Sequence, residues 1–115
     1  MIHHADRLDA ITRVGRALAD PTRCRILLAL LDAPHYPADL AVELGLTRAN
    51  VSNHLACLRG CDLVTATPQG RQVRYELSNP ALTHALSDLL GVVLRVDEGE
   101  ACVASTDRQE LAVLA

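Results

Sequence analysis

A mainly α-helical fold carrying one small β-hairpin is what this sequence predicts, and three observations predict it. Half of the 115 residues are hydrophobic while the only aromatics are two Tyr, so the core has to be Leu, Val, Ile and Ala, the usual filling of packed helices. Apolar residues recur at spacings of three and four through most of the chain. Only around residues 62 to 78 does the pattern alternate as a strand does. A chain of this length assembles a single core.

The elements follow in order. In "DRLDAITRVGRALA", Leu8, Ile11, Val14 and Leu18 keep helical spacing with charged residues between them, an amphipathic first helix. "DPTRCRILLALLD" supplies Asp20 as N-cap and Pro21 at the first helical position, then Ile26, Leu27, Leu30 and Leu31 for the core. "APHYP" interrupts the chain, and a short helix, "ADLAVELG", stops at Gly45. Thr47 caps "RANVSNHLACLRGC", whose Val51, Leu55 and Leu58 point inward. Two helices joined by "GLT" spell a helix-turn-helix. "DLVTAT" and "QVRYELS", with "PQGR" as the turn between them, make a two-stranded wing.

Asn79 and Pro80 open a last helix bearing Leu82, Leu86, Leu89, Leu90, Val93 and Leu94. The first and last helices together offer more apolar face than so small a core can cover, which predicts a homodimer through those two helices. Residues 1–96 are thus expected to form a winged helix-turn-helix domain for DNA binding and dimerisation, and residues 97–115 a C-terminal tail. No apolar run reaches the ~20 residues of a membrane span. "MIHHADRLDAITR" has no signal-peptide core. No membrane partner and a cytoplasmic protein are expected.

The formal net charge of −3 excludes a generally basic coat, but the charge is unevenly placed. Between Thr47 and Tyr75, Arg48, Arg59, Arg71 and Arg74 face Asp62 alone, whereas Asp97, Glu98, Glu100, Asp107 and Glu110 crowd the tail. A helix-turn-helix sets the first turns of its second helix in the major groove of double-stranded DNA. Here those turns carry Arg48, Asn50, Ser52, Asn53 and His54, a set suited to reading base edges. Arg71 and Arg74 of the wing are placed for phosphates or the neighbouring minor groove.

The blocks "LADPTRCRILLALL", "ADLAVELGLTRANVSNHLACLRGCDLV" and "GRQVRYELS" resemble the ArsR/SmtB family of metal-responsive repressors, over nearly the whole chain from about Leu8 to Val96. The resemblance implies a homodimer on a palindromic operator, released when an inducer metal binds.

Cysteine usage bears on that metal. In a reducing compartment the four cysteines are not expected to form structural disulfides. Cys57 and Cys61 lie about 40° apart around a helix with Cβ atoms about 5–6 Å apart. A disulfide prefers about 3.8 Å, whereas two thiolates at that spacing reach one soft ion with ease. Spacing alone fits a pair of small, partly buried hydrophobes equally well. A metal needs a third ligand, and Cys102, in the hydrophilic stretch "DEGEACVAS", is the candidate. Cys24 reads as a core residue, and His3, His4 and His35 as solvated.

Within the family, thiols at Cys57, Cys61 and Cys102 resemble the cadmium- and lead-responsive branch, which implies these three as metal ligands. "LGLTRAN" lacks the Cys-X-Cys of the arsenite sensors, and the last helix keeps His84 and Asp88 without the rest of the zinc sensors' set. Three thiolates suit Cd2+ or Pb2+ and admit Zn2+ or As(III). A thiol redox-sensing repressor on the same fold and a metal-independent DNA-binding regulator are the alternatives. An enzyme is not expected, because the spacing is Cys-X-X-X-Cys with no strand before it.

Overall fold

The computed structural model describes residues 4–99. In chain order it holds α1 (His4–Leu18), α2 (Pro21–Asp32), α3 (Pro37–Leu44), α4 (Arg48–Gly60), β1 (Val64–Gln69), β2 (Gln72–Leu77) and α5 (Pro80–Gly99). This is the winged helix-turn-helix the sequence predicts, five helices and one two-stranded antiparallel sheet. The chain divides into two compact units between Thr83 and His84. The first carries α1 through β2 and the opening turn of α5; the second carries the remainder of that helix.

Local chemistry sets the boundaries in the first unit. The Asp20 carboxylate caps α2 by accepting from the amides of Thr22 and Arg23 at 2.8 and 3.1 Å, and Pro21 fits the first turn because its missing N–H costs nothing there. The Arg23 guanidinium then donates to the carbonyls of Arg16 and Ala17 at 2.8 and 3.0 Å, satisfying the open end of α1. The half-buried Cys24 thiol serves the same junction, its Sγ 3.0 Å from the Leu18 carbonyl. Helix α3 stops at Gly45, whose φ of 68° is the left-handed conformation that ends helices at little cost to glycine.

The core is aliphatic as expected. Ala17, Ile26, Leu27, Leu30, Leu40, Ala41, Val51, Leu55, Leu58, Leu63 and Val64 are buried together, which joins α1, α2, α3, α4 and the root of the wing. Leu31 is only half-buried, and on α1 the stripe meets the core through Val14, Ala17 and Leu18, leaving Leu8 and Ile11 61% and 67% exposed.

The wing strands pair in register from Val64↔Leu77 to Gln69↔Gln72. The turn is tighter than "PQGR" suggests, because Pro68 and Gln69 complete β1 and leave Gly70, with φ 64°, and Arg71 as the tip. Proline is tolerated there because β1 is an edge strand. A further pairing lies outside any periodicity. In the α2–α3 link, His35 exchanges both backbone hydrogen bonds with Tyr75, at 3.0 and 2.8 Å, giving β2 a partner on its second edge.

In the second unit, α5 runs past Val96 to Gly99, and Leu89, Leu90, Val92, Val93 and Leu94 stand between 37% and 57% exposed. Cys102 and the rest of the expected tail lie outside the described residues. Among the described residues, no helix is long and apolar enough to cross a membrane.

Candidate functional site

Helix α4 is aimed by its two ends. At its start the Thr47 hydroxyl accepts from the Asn50 amide at 3.0 Å, fixing where the first turn begins. Val51, Leu55 and Leu58 are sunk in the core, which turns Arg48, Ala49, Asn50, Ser52 and Asn53 to solvent. These exposed side chains form one short polar and basic edge without an acidic neighbour on the helix.

His54 departs from that edge. It is half-buried. The Asp20 carboxyl is held below its ordinary value first by the Arg23 amide, against some desolvation, with further help from the Thr22 amide and from the charges of Arg23 and His54.

The wing's two arginines also separate. Arg71 is exposed at the hairpin tip. Arg74 is half-buried, its guanidinium 3.4 Å from Glu76, with an Nε that is buried and finds no acceptor among the described residues. Arg48, Asn50, Ser52 and Asn53 are therefore exposed along α4 and Arg71 at the hairpin tip, while His54 and Arg74 are half-buried.

The thiols stand at the far end of α4. Cys57 is exposed on the helix, and Cys61 is half-buried as its C-cap, with φ −91° and ψ 5° and its amide donating to the Cys57 carbonyl at 3.1 Å. Sequence periodicity places both on the helix body; the helix in fact ends between them at Gly60. The stop is made by Asp62, which takes the left-handed conformation (φ 62°), while the amides of Asp62 and Leu63 close onto the carbonyls of Arg59 and Leu58, each at 3.0 Å. Leu58 and Leu63 are both buried beneath that stop. An apolar pair bracketing the helix end was the available signal, and an aspartate in the glycine position masked it.

Burial pushes the Cys61 thiol up, the Cys57 thiol beside it adds to this, and the charges of Arg13 and Arg23 act in the opposite sense. Cys24, Cys57 and Cys61 are unbridged. Among the described residues, no three His, Cys, Asp or Glu side chains gather as a metal site.

Two residues of the α2–α3 link make contacts that periodicity does not announce, and His35, expected to be solvated, has a side chain only 16% exposed. The His35 ring lies 2.7 Å from the Ala33 carbonyl and 3.2 Å from a Glu43 carboxylate oxygen, and the Tyr36 hydroxyl donates to Gln69 Oε1 at 3.4 Å. Neither has a signal in periodicity, because both contacts depend on the wing and α3 folding back onto the link.

Comparisons with known proteins accord with this geometry. Residues 20–66 match the family model described as bacterial regulatory protein, arsR family. The HTH-type transcriptional regulator CmtR of Mycobacterium tuberculosis is 64% identical over 98 residues, 85% of this chain and 83% of the relative. The HTH-type transcriptional repressor SmtB of the same organism is 36% identical over 81 residues, 70% of this chain and 60% of the relative. The NMR structure of the cadmium metal-sensor CmtR from M. tuberculosis superposes with a TM-score of 0.62 at 65% identity, covering 82% of this chain and 98% of that one. The homodimeric winged helix-turn-helix DNA-binding domain of a possible ArsR-family transcriptional regulator from Mycobacterium bovis gives 0.71 at 29% identity, covering 80% and 84%. A helix-turn-helix whose second helix exposes a polar edge, a wing with an arginine at its tip and this degree of identity lead to one conclusion: the chain belongs to the arsR family of bacterial regulatory proteins, and is a DNA-binding transcriptional regulator and not an enzyme.

Proposed function

We propose that this regulator is a metal-responsive repressor that binds operator DNA as a homodimer and releases it when Cd2+ or Pb2+ is bound by cysteine thiolates. The observation that carries the reading is the pair of unbridged thiols at the end of α4, the helix that presents the reading edge. It is supported by the 64% identity to CmtR, whose M. tuberculosis structure is that of a cadmium metal-sensor.

The donor set fits a soft cation. Cys57 and Cys61 are adjacent sulfur donors and one is open to solvent, and Cys102 is the third ligand in this reading. Such an ion would supply a cross-link among the thiols; the same donors accept Zn2+ or As(III). The chain's own residues do the rest. Arg48, Asn50, Ser52 and Asn53 meet base edges and nearby phosphates, and Arg71 meets the backbone beside them. The half-buried His54 and Arg74 complete the DNA-contacting set in this reading. Exposed apolar side chains on α1 and on α5 are covered by a second copy, in keeping with the homodimeric M. bovis domain. A cytoplasmic location, with residues 1–96 as the DNA-binding and dimerisation domain and 97–115 as a ligand-bearing tail, belongs to the same reading.

A thiol redox-sensing repressor on the same fold is the alternative reading, since oxidation and metal ligation both draw on the thiolate. The test is an operator titration with and without Cd2+. The dissociation constant of the native chain is expected to rise by about 5–150-fold with the ion, and Cys102→Ser to abolish most of that rise while leaving metal-free operator binding intact. A normal response from Cys102→Ser removes the third-ligand assignment. Release by peroxide in the presence of chelator, without any response to Cd2+, favours the redox reading instead.

A further inference from the structure

The α2–α3 link holds the wing from a side where no strand of the hairpin lies. His35 and Tyr75 exchange both backbone bonds, and that antiparallel pairing, continued by one residue, sets Tyr36 opposite Arg74. Arg74 is itself opposite Thr67, so Tyr36 falls on the outer, polar face of the wing. From there its phenol reaches across to Gln69, the last residue of β1, which pairs with Gln72 on either side of the two-residue tip. The half-buried Arg74 in this row, with its Nε shielded and unpartnered, accords with a side chain lying over it.

Tyr36 is also the N-cap residue of α3, and its carbonyl accepts from the Leu40 amide at 3.0 Å. One residue therefore ties the start of the helix-turn-helix to the far end of the hairpin, two positions from Arg71. A hairpin tip outside the core has little else to hold it: Thr67, Pro68, Gln69, Gly70, Arg71 and Gln72 are all exposed.

We propose that Tyr36 is a positioning residue for operator binding, its phenol–Gln69 hydrogen bond fixing where the wing carries Arg71 relative to the reading edge of α4. The inference rests on the reading that Arg71 meets the DNA backbone. The free dimer then spends less of its time with the wing misplaced, so that less ordering is left to the moment of binding. The bond is long, and its loss from both wings of a dimer is expected to weaken the operator complex by about three- to tenfold.

The full-length chain tests this in a double-mutant cycle on labelled operator at several salt concentrations. Arg71→Ala is expected to weaken binding and to flatten the salt dependence. Tyr36→Phe is expected to weaken binding about three- to tenfold in the native background and less than twofold in the Arg71→Ala background, with an unchanged melting temperature. Gln69→Ala, which removes the same bond from the other side, has to reproduce that pattern. An equal penalty for Tyr36→Phe in both backgrounds, or none in the native one, overturns the proposal. An Arg71→Ala variant with native affinity and salt slope removes the wing reading beneath it.

Discussion

Asp20 and Asp62 show how single carboxylates shape this chain in opposite ways. Asp20 is held ionised by the two amides it caps, so its folded-state pKa lies below the ordinary carboxylate value. A depressed acid stabilises the fold above its unfolded-state value of 3.8 and loses that contribution as pH falls through the folded value. Chemical denaturation of Asp20→Asn, whose neutral amide oxygen still caps, is therefore expected to show a shallower loss of stability below about pH 4 than the native chain. Asp62 works against the fold locally, because it sits at φ 62° where an L side chain is strained. Its pair with Arg13 is 3.8 Å long with an 88% exposed carboxylate, and so contributes little in return. Asp62→Gly is expected to raise stability by about 0.5–1 kcal/mol, read as a higher melting temperature with an unchanged fold. The same residue explains what the sequence hid. The four-residue spacing of Cys57 and Cys61 was legible because it depends only on helical period. That Cys61 caps the helix was not, because the stop depends on a conformation that aspartate seldom adopts.

The elements were legible wherever a local signal sufficed. Asp20 with Pro21, Gly45, and Thr47 with its Asn50 amide each fix a helix end by neighbours a few residues away. The wing was harder, because Pro68 reads as turn chemistry until its edge-strand setting is known. His54 and Arg74 have residue types that suit DNA, and the half-burial of each depends on tertiary packing that residue type alone does not show. The exposed edge of α4 carries a sharper expectation. Asn50 lies in the first turn of α4, has its amide satisfied by Thr47 and leaves its side chain exposed. If it reads a base, Asn50→Ala relaxes the preference at one operator position by about 1–3 kcal/mol and leaves the salt slope unchanged. Competition among operators substituted one base pair at a time measures this, and a uniform loss across all of them would make Asn50 a phosphate contact.

For the whole molecule, the decisive quantity is apolar surface without an owner. A row running from Leu89 to Leu94 on α5, with Leu8 and Ile11 on α1, leaves large aliphatic side chains exposed on a chain that has few aromatics to build a larger core. Surfaces of that kind on small proteins mark association sites. If the operator is palindromic and one α4 reads each half-site, association has a purpose, since a single helix makes too few base contacts for tight specific binding. Val93, 48% exposed in the middle of the α5 row, is the informative position. Glutamate there places a charge within an apolar interface and costs the dimer several kcal/mol, while the first unit, whose core lies elsewhere, keeps its fold. Sedimentation of Val93→Glu is expected to give a monomer with native helical content. Its operator affinity is expected to fall toward non-specific levels, on the order of 10³-fold weaker, because the second half-site is lost. A Val93→Glu chain that remains dimeric would place the association face away from α5.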